Sequence, residues 1–344
     1  MAIQIKPLLQ SVAHGANLSY AIQKFGGARS EWLDLSSAVS PFSWWADNKQ
    51  KVIFPEAVFH DLPSFNDELN QTIQAYYGIA GLAVAGSQAA IQVLPQCFTR
   101  ATVWVLAGAY GEHAACWRAE GHTVVELTQD EIEVSFLNGT DFPDVLIVVN
   151  PGNPSGELFS SADLQQWAKQ LATVGGYLVC DEAFIDATPE QSILADDMPA
   201  NMIVLRSLGK FFGLAGLRFG VLFASGDIRA ALGQRIGPWP LAGASMWLAQ
   251  QALKDIAWQC AQRQRLQECS RAMREALTSF NLIGSTSLFC TLAVPDVAAA
   301  QVLLAEHKIW TRCFRQQGLL RLGLAQPHEL ERLRLTLDKL NKPV

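Results

Sequence analysis

Three short runs in the middle of the chain, "DVLIVV" (144–149), "YLVCD" (177–181) and "MIVLRS" (202–207), are apolar at nearly every position. A strand with no polar parity has both faces buried, which is the state of strands in a parallel sheet covered by helices on each side. The segments around them alternate in kind. "SFNDELNQTIQAYYG" predicts an amphipathic helix ended by Gly78, "LAVAG" a strand, and "SQAAIQVLPQCF" (87–98) a helix capped by Ser87. "TVWVLAG" and "TVVELT" predict strands on either side of a helix over "GEHAACWRAEG", and "SADLQQWAKQLATVG" another helix. This alternation points to an α/β fold built on a mostly parallel sheet.

The character changes after about residue 225. Helical patterns are expected over 226–236 and 242–280, then short strands ("LFCTLAV", "GLLRLGLA") and a closing helix over 327–341. The first 60 residues show little periodicity. The expected organisation is a large domain over 41–225 and a smaller α+β domain made of 1–40 and 226–344. Half of the 344 residues are hydrophobic and 17% are charged, enough for a sizeable core. A net charge of −6 argues against general nucleic-acid binding. The seven cysteines contain no CxxC pair and read as thiols of a reducing compartment. Neither a signal-peptide pattern nor a run of about 18 apolar residues is present, so no membrane partner and a cytoplasmic location are expected.

Ligands of parallel sheets sit at the carboxyl ends of strands, and that rule sorts the unusual polar residues. Gly86, Ser87 and Gln88 follow a strand and open a helix, where free N–H groups suit a phosphate; a plain N-cap accounts for the same residues. "NPGNPSG" (150–156) is a rigid loop that can aim Asn153, and "LVCDEAF" puts Asp181 at a strand end. The passage "RSLGKFFGLAGLRFG" (206–220) keeps Lys210 among glycines and phenylalanines, three residues after Ser207 and eight before Arg218. The spacing excludes a nucleotide P-loop. A lysine snorkelling from an apolar segment remains an alternative for this motif alone. Together the set is more specific. Ser207 and Arg218 suit a phosphate, Asp181 a ring cation and Asn153 a phenolic oxygen, while Lys210 can condense with an aldehyde. Pyridoxal 5′-phosphate needs all of these, and no metal is expected.

The order of motifs, AGSQAA, Tyr110, NPGNPSG, DEAF and SLGK with Arg218, resembles the fold type I, aspartate aminotransferase-like enzymes over roughly residues 30–335. The resemblance implies a mostly parallel seven-stranded sheet sandwiched by helices, plus a smaller α+β domain. It also implies Lys210 as the cofactor-bound lysine, Asp181 opposite the pyridine nitrogen, Asn153 at the ring oxygen and Tyr110 over the ring. Gly86, Ser87, Gln88, Ser207 and Arg218 would hold the phosphate. Phe184 stands where many relatives have tyrosine, which removes one hydrogen bond to the ring oxygen.

Within that class, "HGANL", "WLDLSSAVSP", "DEAFID" and the late pair "TRC" and "LLRLGLA" most resemble the threonine-phosphate decarboxylases of cobalamin biosynthesis. That likeness implies decarboxylation of L-threonine O-3-phosphate to (R)-1-amino-2-propanol phosphate by a homodimer with shared active sites. His14, Gly15 and Ser40 would lie at the substrate with Asn153, and Arg312 and Arg321 would bind its anionic ends. Ala16 and Ser40 depart from the family pattern, and the loop between the two arginines is short. Two rivals share these motifs: a histidinol-phosphate-type aminotransferase, and a non-catalytic binding protein on the same fold.

Overall fold

The computed structural model of the chain describes residues 17–64, 67–139, 141–195 and 197–340. Its central sheet contains β1 (Leu82–Val84), β2 (Thr102–Leu106), β3 (Thr123–Leu127), β4 (Val145–Val149), β5 (Tyr177–Asp181), β6 (Met202–Ser207) and β7 (Gly220–Phe223). The seven strands lie in the order β1-β7-β6-β5-β4-β2-β3. β7 runs antiparallel to both of its neighbours, and every other neighbouring pair is parallel.

The two parities of the central strands enter different cores, which explains why both are apolar. Leu146, Val148, Leu178, Cys180, Met202 and Val204 face one layer, with Leu69 and Ile73 of helix Asp67–Tyr77 and Leu164, Trp167 and Leu171 of helix Ser161–Ala172. Val145, Ile147, Val179, Ile203 and Leu205 face the other, against Ile91, Trp117 and Leu232 of helices Ser87–Val93, Glu112–Ala119 and Gly226–Ile236. Each such side chain contributes about 1.5–3 kcal/mol on burial, so a polar residue of either parity would be costly.

A second, antiparallel sheet of β8 (Leu282–Ser285), β9 (Phe289–Ala293), β10 (Arg312–Phe314) and β11 (Leu319–Gly323) runs in the order β10-β11-β9-β8. The first layer of the large sheet continues into it, through Leu292, Leu320 and Leu322. The early chain joins this part: Leu33–Asp34 pairs in parallel with Ile309–Trp310.

Local structure differs from expectation in places where long-range contacts decide. The helix expected over 87–98 ends at Val93 and tightens into a 3₁₀ turn, Leu94–Cys97, where Pro95 removes an N–H donor. Gly86, not Ser87, is its N-cap, with no side-chain capping bond. The span 242–280 is two helices, Gly243–Lys254 and Ile256–Ala276. Asp255 breaks it by capping the second, accepting from the Trp258 N–H at 3.1 Å, while its other oxygen accepts from Trp44 Nε1 at 2.9 Å. Among the described residues the aperiodic start contains the short α-helices Leu18–Phe25, Trp44–Asn48 and Ala57–His60.

Below the carboxyl end of the sheet, buried Arg206 donates to Glu182 (2.8 Å), Ser192 (2.9 Å) and Asp186 (2.5 Å). Burial works against its charge, but Asp186 and Glu182 outweigh it and hold Arg206 protonated well above the ordinary arginine range. Removing the cation leaves two buried carboxylates without their partner. Arg206→Met is therefore expected to lower unfolding free energy by about 3–5 kcal/mol in urea titrations followed by circular dichroism. A loss under about 1 kcal/mol, the scale of an exposed pair, contradicts this.

Candidate active site

Five strands deliver polar residues to one edge of the large sheet. β1 leads into Gly86 and Ser87, β2 into Tyr110, β4 into Asn153, β5 ends on Asp181, and β6 ends on Ser207 just before Lys210. Parallel strands share a direction, so residues far apart in sequence converge there without long loops.

Lys210 is half-buried, with Nζ 5.3 Å from the centroid of the Phe184 ring. Its backbone is pinned: the Lys210 carbonyl accepts from the N–H groups of Ser40 (3.0 Å) and Gly213 (3.2 Å). The Gln262 amide donates to Ser40 Oγ (2.7 Å) and to the Phe211 carbonyl (2.8 Å), and Ser40 Oγ also accepts from the Phe42 N–H at 3.0 Å. Ser40, expected at the substrate, therefore turns its hydroxyl to the strut that holds the lysine loop. Burial, then Arg321 and Arg218, push the Lys210 amine down to about 8, against an opposing pull from Asp181.

Asp181 is buried and doubly held. Its Oδ2 lies 3.0 Å from His113 Nε2, and its Oδ1 accepts from the Ala183 N–H at 3.0 Å. Sequence reasoning missed His113. The available signal was "YGEH", which places the imidazole one helical turn after Tyr110 at the N-terminal end of helix Glu112–Ala119. The Tyr110 and His113 rings meet edge to face, with centroids 6.2 Å apart.

A cradle of small residues lies beside this pair. A Cβ on Gly86 would sit 2.8 Å from Arg218 Nη2, and one on Gly220 would sit 2.6 Å from the Ser87 nitrogen. The guanidinium therefore lies directly on backbone that only glycine leaves open. Arg218 itself has a left-handed backbone (φ 54°), a conformation that costs a non-glycine residue about 1–3 kcal/mol and turns its side chain toward Gly86. Ser207 is buried on the adjoining strand end, its Oγ accepting from the Gly209 N–H at 3.4 Å. The cradle can take a small anion.

On the opposite side, Arg321 Nη1 donates to Asn153 Oδ1 (2.6 Å) and Nη2 to the Ser36 carbonyl (2.8 Å). Arg312 and Arg321 are direct cross-strand partners of β10 and β11, which brings two like charges to the same face of the small sheet. Burial and Arg312 push Arg321 down to about 9, and burial also lowers Arg312. Gln88, expected at the phosphate, instead accepts from the Tyr110 hydroxyl at 2.9 Å and donates to Glu112 at 2.8 Å. His14 and Gly15, with Ala16 beside them, lie outside the described residues. Among the described residues no group of three or more His, Cys, Asp or Glu side chains could hold a metal ion.

The charge arrangement makes a direct test. Lys210 in the cofactor-free protein is expected to be acylated with a pH midpoint near 8, and Arg321→Met is expected to move that midpoint upward, because a neighbouring cation is lost. Peptide mapping of the labelled lysine against pH measures both; a midpoint in the ordinary lysine range, or one unmoved in the variant, contradicts the arrangement.

Comparison with known proteins agrees with this architecture. A threonine-phosphate decarboxylase of Pseudomonas aeruginosa is 40% identical over 90% of this chain and 92% of its own length. One from Sinorhizobium sp is 32% identical over 91% and 93%. The solved structure of histidinol-phosphate aminotransferase from Sinorhizobium meliloti in complex with pyridoxal-5'-phosphate superposes with a TM-score of 0.80, at 16% identity, over 99% of this chain and 98% of that one. The family model for aminotransferase class I and II matches residues 36–338, and the chain belongs to that family.

Proposed function

We propose that the protein is a pyridoxal 5′-phosphate-dependent decarboxylase of L-threonine O-3-phosphate, releasing (R)-1-amino-2-propanol phosphate for cobalamin biosynthesis. The observation that carries this reading is the guanidinium pair Arg312 and Arg321, facing each other beside Asn153 on a chain whose full-length likeness is to decarboxylases of this substrate. The cofactor's needs are met by residues of this chain: an amine of depressed basicity, a buried carboxylate, and an anion cradle whose glycines a Cβ would block. Bound there, pyridoxal 5′-phosphate supplies an aldehyde for the lysine and a heterocycle that withdraws electrons from the bound amino acid.

The chain's own residues do the rest. Gly86, Ser87, Ser207 and Arg218 hold the phosphate of the cofactor. Asp181, oriented by His113, presents its carboxylate to the ring nitrogen, and Asn153 and Tyr110 set the ring's position. Arg312 and Arg321 bind the anionic ends of the substrate, so that the bond to its carboxylate is the one that breaks and CO₂ leaves. Lys210, with a pKa of about 8, lies close to the working pH of a general acid and delivers the proton that takes the place of CO₂ at Cα.

In this reading residues 41–225 form the cofactor-binding domain and 1–40 with 226–344 the smaller domain. Two copies share their active sites, and exposed Phe59, Leu62 and Trp239 supply apolar surface for that contact. Among the described residues no helix is long and apolar enough to cross a membrane; a cytoplasmic location is part of the same proposal.

Incubation with phosphothreonine and cofactor, without any 2-oxo acid, is expected to release CO₂ stoichiometrically with aminopropanol phosphate. Strict dependence on 2-oxoglutarate would contradict decarboxylation and favour the aminotransferase. Arg321→Ala loses charge-assisted hydrogen bonds of about 1.5–3 kcal/mol, so kcat/KM in that assay is expected to fall about 10- to 100-fold or more; an unchanged value contradicts its place at the substrate.

A further inference from the structure

Glu112 has no part in the roles above, yet it belongs to a chain of hydrogen bonds that runs from the Tyr110 hydroxyl through Gln88. We infer that Glu112 is a positioning residue: its carboxylate fixes the amide of Gln88, and through Gln88 it holds the Tyr110 ring in one orientation and keeps the phenolic proton directed away from the ligand.

The inference follows from donor and acceptor accounting. A carboxylate accepts and does not donate, so the Gln88 amide must turn its NH₂ toward Glu112, and the 2.8 Å contact is Nε2 to Oε2. That leaves Gln88 Oε1 facing Tyr110, 2.9 Å from the phenolic oxygen, and the phenol must be the donor. Without a charged partner an amide has two nearly equivalent orientations; with one, it has a single orientation. Glu112 is the first residue of helix Glu112–Ala119, two positions after Tyr110.

The other side of Tyr110 is fixed as well. His113, edge-on to its ring, is the residue that holds Asp181. One short helical segment therefore sets both the aromatic ring and the carboxylate. Burial, then Glu112, with Asp181 and Cys116 adding and Arg218 opposing, pushes the Tyr110 phenol up to about 12. The hydroxyl accordingly stays protonated and remains a donor to Gln88 at any working pH. Gln88 has its oxygen and one N–H engaged inside the protein, which explains why it does not turn wholly to the anion cradle beside it.

What the Tyr110 ring faces rests on the cofactor reading; the hydrogen-bond chain does not. Glu112→Gln tests both separately, because a second amide in that place can donate as readily as accept and frees Gln88 to turn over. In the cofactor-free protein, ultraviolet titration is expected to show one tyrosine ionising at lower pH than in the wild type, a step absent from Tyr110→Phe. Gln88→Leu, which cuts the same chain at its middle, is expected to give the same shift. In the cofactor-loaded protein, the visible circular dichroism band is expected to weaken, with kcat about tenfold lower and KM for phosphothreonine within about twofold. Identical tyrosine titrations in wild type and both variants overturn the inference. A wild type with no visible band overturns the cofactor reading instead, and leaves the titration to decide the role of Glu112.

Discussion

The active-site cleft concentrates positive charge around an amine. Lys210, Arg218, Arg312 and Arg321 converge from three parts of the chain, and Asp181 is the buried carboxylate that faces Lys210. Charges taken from water into such a place are unfavourable until something balances them. The lowered basicities of Lys210 and Arg321 follow from that imbalance, burial first and then the neighbouring cations. Because the lysine charge is penalised in the fold, its destabilising effect is full below about pH 8 and lifts as pH rises toward the ordinary lysine value. Anionic ligands relieve the same imbalance at lower pH, so folding stability and ligand binding are linked through this cleft.

The scaffold keeps these charges in register by two devices. Parallel strands present their ends on one edge, and the second sheet is pressed against the Asn153 loop backbone to backbone. A Cβ on Gly284 of β8 would lie 1.7 Å from the Ser155 carbonyl oxygen, and Thr291 of β9 donates to the Pro154 carbonyl at 2.6 Å. With the bond from Arg321 to Asn153, the loop and the small sheet form one unit. A guanidinium from the late part of the chain and an amide from the middle therefore act as a single wall of the site.

Much of this was legible in the sequence because it depends on local pattern. Runs such as "VLIVV" are apolar at both parities only when two cores need them, and polar residues just beyond them mark strand ends. Asp181, Asn153 and Lys210 stand out by that rule, and Arg218 by its spacing of eight residues from Lys210. What was hidden depends on partners distant in sequence. The bond between His113 and Asp181 spans 68 positions and the one between Gln262 and Ser40 spans 222, and no spacing announces either. The same holds for Asp255, whose break in a helical pattern is stabilised by Trp44 from the early chain. Arg312 and Arg321 were visible singly, but their direct opposition is a matter of strand register. Gln88 was read as a phosphate residue together with Gly86 and Ser87 beside it; only Glu112, held against it in space, shows where its amide turns.

The measurement that reaches the centre of this account is the site of covalent attachment. After reconstitution with pyridoxal 5′-phosphate and reduction with borohydride, peptide mass spectrometry is expected to find the cofactor's mass on Lys210, and Lys210→Ala is expected to carry no adduct and to lose turnover. An adduct on a different lysine, or a Lys210→Ala protein that turns over as fast as the wild type, would contradict it.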